Sequence, residues 1–312
     1  MNQARSGSRS KLLVAVVGLG GTLGGTGCTP SNSVKSGAPV MLSFGPADSN
    51  GNAVSLTSDA GPVSAPPLVH FVAIFDRVLD GDSLDDADGG APKAGLAASE
   101  YGAPAAPLPV ITTYNPSGDS VFYGYSPPGP SLTVSAVCGL PTSSPVQIAL
   151  DLTKFRSHDL STVATVGPGV TSTLSFTTDA LTATIDVPAP AEDPGAGLLE
   201  DHDPQTVVTV TFNDLTPSDA PLPGCPAPPS TANHIHVGAT LAGVPVLPFE
   251  AVVAPAANDP TKWNVSPPGT TADAKGSWPA GALVTVTIDA DASDIFQKTL
   301  GSPTTATFMV KS

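Results

Sequence analysis

Beyond residue 38 the chain is built of short runs in which apolar and polar positions alternate. Val208, Val210 and Phe212 are separated by Thr209 and Thr211, and Val284, Val286 and Ile288 by Thr285 and Thr287. A period of two marks a strand with one buried and one solvated face. Pro and Gly break the pattern about every 10 to 15 residues. No stretch carries apolar residues at i, i+3, i+4 and i+7 over three turns; the one segment that reads as helical is short, residues 94–100. Many short strands without crossover helices predict antiparallel sheets packed face to face, an all-β sandwich.

The pattern also repeats. Met41 to Ala47 corresponds to Ala183 to Ala189 at an offset of 142, and Phe71 to Asp76 to Val208 to Asn213 at 137. Tyr125-Ser126-Pro127-Pro128-Gly129 matches Val265-Ser266-Pro267-Pro268-Gly269 at 140, and Val146 to Asp151 matches Val284 to Asp289 at 138. Four matches in one order, within five residues of one spacing, point to a tandem duplication. Both copies close on an alternating segment, Leu174 with Phe176 and Phe308 with Val310. The expected copies are residues 39–178 and 179–312, meeting near Thr178 with almost no linker, each an immunoglobulin-like β-sandwich.

Some of these residues also resemble a known family. The run Phe75-Asp76-Arg77-Val78-Leu79-Asp80 with Ser83-Leu84, the later Ser126-Pro127-Pro128-Gly129, the strand Val146-x-Ile148-x-x-Asp151 and the closing Leu174-x-Phe176-Thr177-Thr178 are similar to the bacterial Ig-like domain of the SbsA type. The resemblance spans both copies and is looser in the second, where Asn213-Asp214-Leu215 stands in for Asp76-Arg77-Val78. It implies an extracytoplasmic structural or binding module of the kind found in surface-layer and exported proteins, with no shared catalytic residues to transfer.

The first residues change the picture of where the chain works. Arg5, Arg9 and Lys11 precede the apolar run 12–19, and small residues lead to Cys28, the order of a secretory signal. Gly25-Thr26-Gly27-Cys28 resembles the lipobox of bacterial lipoproteins, which implies a signal peptide over 1–27 and a lipid-modified Cys28. Two or more acyl chains give lasting membrane attachment, each buried methylene contributing about 0.8 kcal/mol. Residues 28–38 read as a flexible tether, about ten residues of which reach roughly 18 Å. The expected site of action is the cell envelope, anchored to the outer membrane through Cys28.

Charge then removes several functions. The chain has 312 residues with 27 acidic against 12 basic, a formal charge of −15; without residues 1–27, nine basic residues remain and the net becomes −18. Such a surface repels phosphate backbones, so no nucleic-acid partner is expected. A protein or glycan partner stays open, its surface expected in the loops 80–109, 188–204 and 217–232.

Candidate chemistry is sparse. Gly81-Asp82-Ser83-Leu84 matches the nucleophile motif of GDSL-type hydrolases, but that family's α/β scaffold and its late Asp-x-x-His are missing, since no His follows His236. A secreted hydrolase using Ser83 is therefore the weakest reading, and no enzyme activity is expected. Asp80, Asp82, Asp85, Asp86 and Asp88 supply the hard oxygens that calcium prefers, although Leu84 breaks the EF-hand spacing. A weak calcium site there would make the chain a calcium-dependent binding protein; a solvated acidic loop is the alternative. His234 and His236 alternate on one strand face and could reach one metal, but no third ligand stands at a readable spacing. His70 and His158 are isolated. With Cys28 lipidated, Cys138 and Cys225 remain. They fall at different places in the two copies, which leaves a bridge between copies or two separate thiols. The function expected from these features is a non-catalytic, lipid-anchored spacer, scaffold or adhesin.

Overall fold

The computed structural model describes residues 37–47, 56–58, 61–62, 64–80, 96–100, 106–116, 130–160, 162–189, 201–219, 222–257, 259–272 and 274–312. Among the described residues the structure is all-β, with no helix of seven or more residues. Among the described residues no helix is long and apolar enough to cross a membrane.

The amino-terminal half contributes β1 (Val40–Pro46), β2 (Thr57–Ser58), β3 (Gly61–Pro62), β4 (His70–Phe75), β5 (Leu96–Glu100), β6 (Ala106–Pro107), β7 (Val110–Asn115), β8 (Ser131–Ala136), β9 (Pro145–Leu150), β10 (Thr165–Val166) and β11 (Thr173–Thr177). The carboxy-terminal half contributes β12 (Ala183–Asp186), β13 (Asp201–His202), β14 (Val208–Phe212), β15 (Ile235–Leu241), β16 (Val244–Pro245), β17 (Val252–Ala256), β18 (Asp259–Ser266), β19 (Leu283–Ile288) and β20 (Thr304–Val310).

Each half holds two main sheets, and the first also carries the two-stranded β2-β3. In the first, β1-β4-β8-β7 faces β11-β9-β5-β6; in the second, β12-β14-β18-β17 faces β20-β19-β15-β16. With the principal strands of each half lettered A to G in chain order, both read A-B-E-D against G-F-C plus a short strand after C. That is the strand order of immunoglobulin sandwiches. The halves differ at their edges. β10 adds parallel to β1 in the first, and β13 adds parallel to β20 in the second.

Alternation puts one face of strands such as β9, β11, β14 and β19 inside. Val208, Val210 and Phe212 of β14 meet Val284, Val286 and Ile288 of β19 across the second core, with Trp263 filling its middle. Phe71, Phe75, Leu132, Val146, Ile148 and Phe176 do the same in the first. Burying each such side chain contributes about 1.5–3 kcal/mol, so Val- and Thr-rich strands suffice with few aromatics.

Registers show which repeat matches are structural. Met41 pairs with Phe75 and Ala183 with Phe212, so the offset of 142 holds where strand A meets strand B. A bulge between Met41 and Ser43 then absorbs one residue, which leaves Leu42 outside while Met41 and Phe44 both point in. The corner after strand B recurs in atomic detail. Asp76 N–H donates to the Val40 carbonyl and Val40 N–H to Asp76 Oδ1; Asn213 N–H donates to the Thr182 carbonyl and Thr182 N–H to Asn213 Oδ1.

Two expectations are corrected. Residues 96–100 form no helix: Leu96–Glu100 is β5, paired along its length with β9. The Ser-Pro-Pro-Gly match is not part of the repeat. In the second half it follows strand E (β18), whereas residues 125–129, outside the described residues, precede strand E of the first half (β8). The pairings Ala73–Leu132 and Val210–Trp263 instead align Leu132 with Trp263.

Candidate functional site

The feature that sets this chain apart from two independent sandwiches is the seam between its halves. The described residues belong to one compact unit. Thr178 and Asp179 still bond the first half, through Thr178 N–H to the Ser144 carbonyl and Asp179 N–H to the Ala65 carbonyl. Ala180 already belongs to the second half, its carbonyl accepting from Asn213 Nδ2 at 2.8 Å. The changeover thus occupies a single peptide step.

At the seam the loop after β8 of the first half meets the loops after β14 and β19 of the second. Cys138, Leu215 and Ile295 form a small buried apolar cluster, flanked by Leu68, Val137 and Phe296. Asp294 ties it together. Thr142 N–H and Oγ1–H donate to Asp294 Oδ2 at 2.9 and 2.8 Å, while the N–H groups of Phe296 and Lys298 donate to Oδ1 at 2.9 and 2.8 Å. A carboxylate with no exposure is tolerated there because four donors replace its water.

Asp214 lies in the same seam and is much less well satisfied. Its Oδ1 accepts from Leu215 N–H at 2.7 Å, but Oδ2 has no partner. Burial pushes its carboxyl up to about 8, the Leu215 hydrogen bond opposing and the nearby Asp294 charge adding to the shift. Gly139 packs on it: at φ +70° a Cβ would stand 2.5 Å from Asp214 Oδ1 and 3.0 Å from Leu68 Cδ2.

Cys138 and Cys225 close a disulfide across the seam, with Cα atoms 5.5 Å apart and a sequence separation of 87. Beside it, on the second half, Leu215, Pro217, Leu222, Pro226, Ala256 and Trp263 line an apolar cavity of 490 Å³. Trp263 is held by an Nε1–H donation to Thr216 Oγ1 at 2.8 Å.

A second cluster sits on the outer face of the second half. His234 ends a 3-10 turn over Thr231–His234, and its carbonyl accepts from Asp289 N–H at 2.9 Å, which extends the β15–β19 ladder by one step. His236 follows two residues later on the same face, and Asp289 and Asp291 alternate in the same way beyond β19. His234 Nδ1 pairs with Asp291 Oδ1 at 3.1 Å and His236 Nε2 with Asp289 Oδ2 at 2.7 Å. The two histidines singled out by sequence therefore do share a face. Their carboxylate partners were missed because the register of β15 on β19 is a long-range fact. The local signal was present: Asp289 and Asp291 continue the outward series begun by Thr285 and Thr287.

The other sequence candidates are scattered or lie elsewhere. Cys28, Ser83, Asp82, Asp85, Asp86 and Asp88 lie outside the described residues. Asp80 is described, and its N–H donates to the Arg156 carbonyl at 3.0 Å. His70 pairs with Ser135 Oγ at 2.8 Å on a strand face. No protein-family model and no curated protein matches the chain.

Proposed function

We propose that this chain is an exported, lipid-anchored, non-catalytic module of two Ig-like sandwiches in tandem. In this reading it acts as a stiff spacer, scaffold or adhesin in the cell envelope, of the type that the SbsA-like resemblance implies. The observation that carries the reading is the stapled seam. A disulfide, a buried Asp294–Thr142 hydrogen-bond pair and an apolar cluster are more than two beads on a string need, and they resist bending between the halves. The disulfide further supports an oxidising compartment, since thiols stay reduced in the cytosol. The lipobox-like Gly25-Thr26-Gly27-Cys28 supports anchoring, and the all-β architecture disfavours Ser83 as a nucleophile of the α/β GDSL type.

The test is expression of the full chain with its own amino terminus in a diderm bacterium, with labelled palmitate supplied. The expected product is membrane-associated, carries label that Cys28→Ala abolishes, and has no titratable thiol when denatured without reductant. An unlabelled cytosolic product with free thiols at Cys138 and Cys225 would overturn the reading.

A further inference from the structure

The outer-face cluster has a donor set that neither spacer nor adhesin requires. One nitrogen or oxygen from each of His234, Asp289 and Asp291 lies within 4.8 Å of the other two. A tetrahedral ion with bonds of about 2.1 Å needs its ligand atoms about 3.4 Å apart. The remaining closure is at most about 1.4 Å, within reach of side-chain rotation at Asp289 and Asp291, which are 37% and 73% exposed. The Cα positions need not move, because the His234–Asp289 backbone hydrogen bond and the β15–β19 ladder fix them.

Donor type narrows the ion. Calcium and magnesium select oxygen-only sets, whereas mixed imidazole and carboxylate suits zinc and its neighbours. His236 adds the feature such sites share. Its ring sits 2.7 Å from Asp289 Oδ2, the kind of contact by which outer residues orient ligating carboxylates.

We propose that His234, Asp289 and Asp291 form a site for a divalent transition-metal ion of the zinc class, with His236 as the positioning residue of Asp289. Water or a donor from a partner molecule completes the coordination. A bound ion would tie the segment before β15 to the start of the loop after β19, the loop that carries Asp294 into the seam. This goes beyond the spacer reading and does not depend on it.

The experiment uses the full, untagged, disulfide-intact chain after chelator treatment, titrated with ZnCl2 and separately with CoCl2. One zinc equivalent is expected to bind with a dissociation constant below about 100 μM and to raise Tm by several degrees. Cobalt is expected to develop visible d–d absorption. His234→Gln, at a half-buried side chain, and Asp291→Asn, at an exposed one, should each weaken binding at least about tenfold and leave the metal-free Tm unchanged. His236→Gln should weaken binding less and shift the cobalt spectrum, which a purely structural role would not do. His158→Gln, remote on the first half, should change nothing. Three outcomes would overturn the site: no saturable binding at one equivalent, wild-type affinity retained by His234→Gln and Asp291→Asn, or calcium stabilising the chain as strongly as zinc.

Discussion

Asp214 shows how one side chain can make stability depend on pH. Its carboxyl is raised from 3.8 to about 8 in the folded chain, so between those values the native state holds a proton that the unfolded state has released. Stability must therefore fall as pH rises across that window, by at most about 1.4 kcal/mol per pH unit, and level off above it. Asp259, lowered to about 2 by Thr261 and Lys262, acts in the opposite direction and below the window. The difference between wild type and Asp214→Asn isolates the effect. Urea unfolding from pH 4 to 9 should show the variant gaining on wild type up to about pH 8, and a constant difference would refute the protonated carboxyl. Gly139 tests the same contact from the other side. Ala there meets both a left-handed backbone and the Asp214 oxygen at 2.5 Å. We expect Gly139→Ala to cost about 1–3 kcal/mol in chemical denaturation, and more than Gly169→Ala, where φ is also positive at +75° but nothing lies within 4 Å.

At the scale of elements, strands such as β14 and β19 were legible because their inner faces alternate without interruption. β14 and β19 follow Val-Thr periodicity from end to end, and the Phe75-Asp76 and Phe212-Asn213 corners reuse one hydrogen-bond pattern. What sequence could not supply was register. Residues 94–100 contain Ala, Leu and Glu, good helix formers, yet β9 offers Leu96–Glu100 an open edge and tertiary pairing overrides a weak local preference. The Ser-Pro-Pro-Gly coincidence misled for a related reason, since turn residues recur wherever strands end and carry no pairing information. The seam was half legible: Cys138 and Cys225 stood out by number, while Thr142, Asp214 and Asp294 looked like ordinary loop residues. The disulfide closes an 87-residue loop, for which chain entropy gives about 4–5 kcal/mol. Hydrogen bonds and apolar contacts already hold the same loops, so Cys138→Ser with Cys225→Ser should lose about 2–4 kcal/mol in urea. A change below about 0.5 kcal/mol would mean that the bridge adds nothing to the seam.

For the whole molecule, the question is whether two sandwiches joined by one peptide step move as one body. A short connection alone does not fix orientation, because domain interfaces within a chain are commonly small and mobile. Here three restraints act on the same loops: the covalent bridge at Cys138, the two hydrogen bonds that Thr142 donates to Asp294, and the Leu215–Ile295 contact with the first half. They differ in how they fail. Reductant removes the first, Asp294→Asn weakens the second by replacing a charged acceptor, and neither disturbs the Val284 or Phe71 cores. Residual dipolar couplings of the oxidised chain should therefore fit a single alignment tensor for residues 64–178 and 181–312. Either lesion alone should leave the halves coupled. Reduction of Asp294→Asn should split the couplings into two tensors while each half keeps its amide chemical shifts away from the seam. Two tensors in the untreated oxidised chain would make the halves flexible beads. A spacer of that kind would transmit no orientation from membrane to tip, and stiffness could no longer be the purpose of burying Asp214 and Asp294.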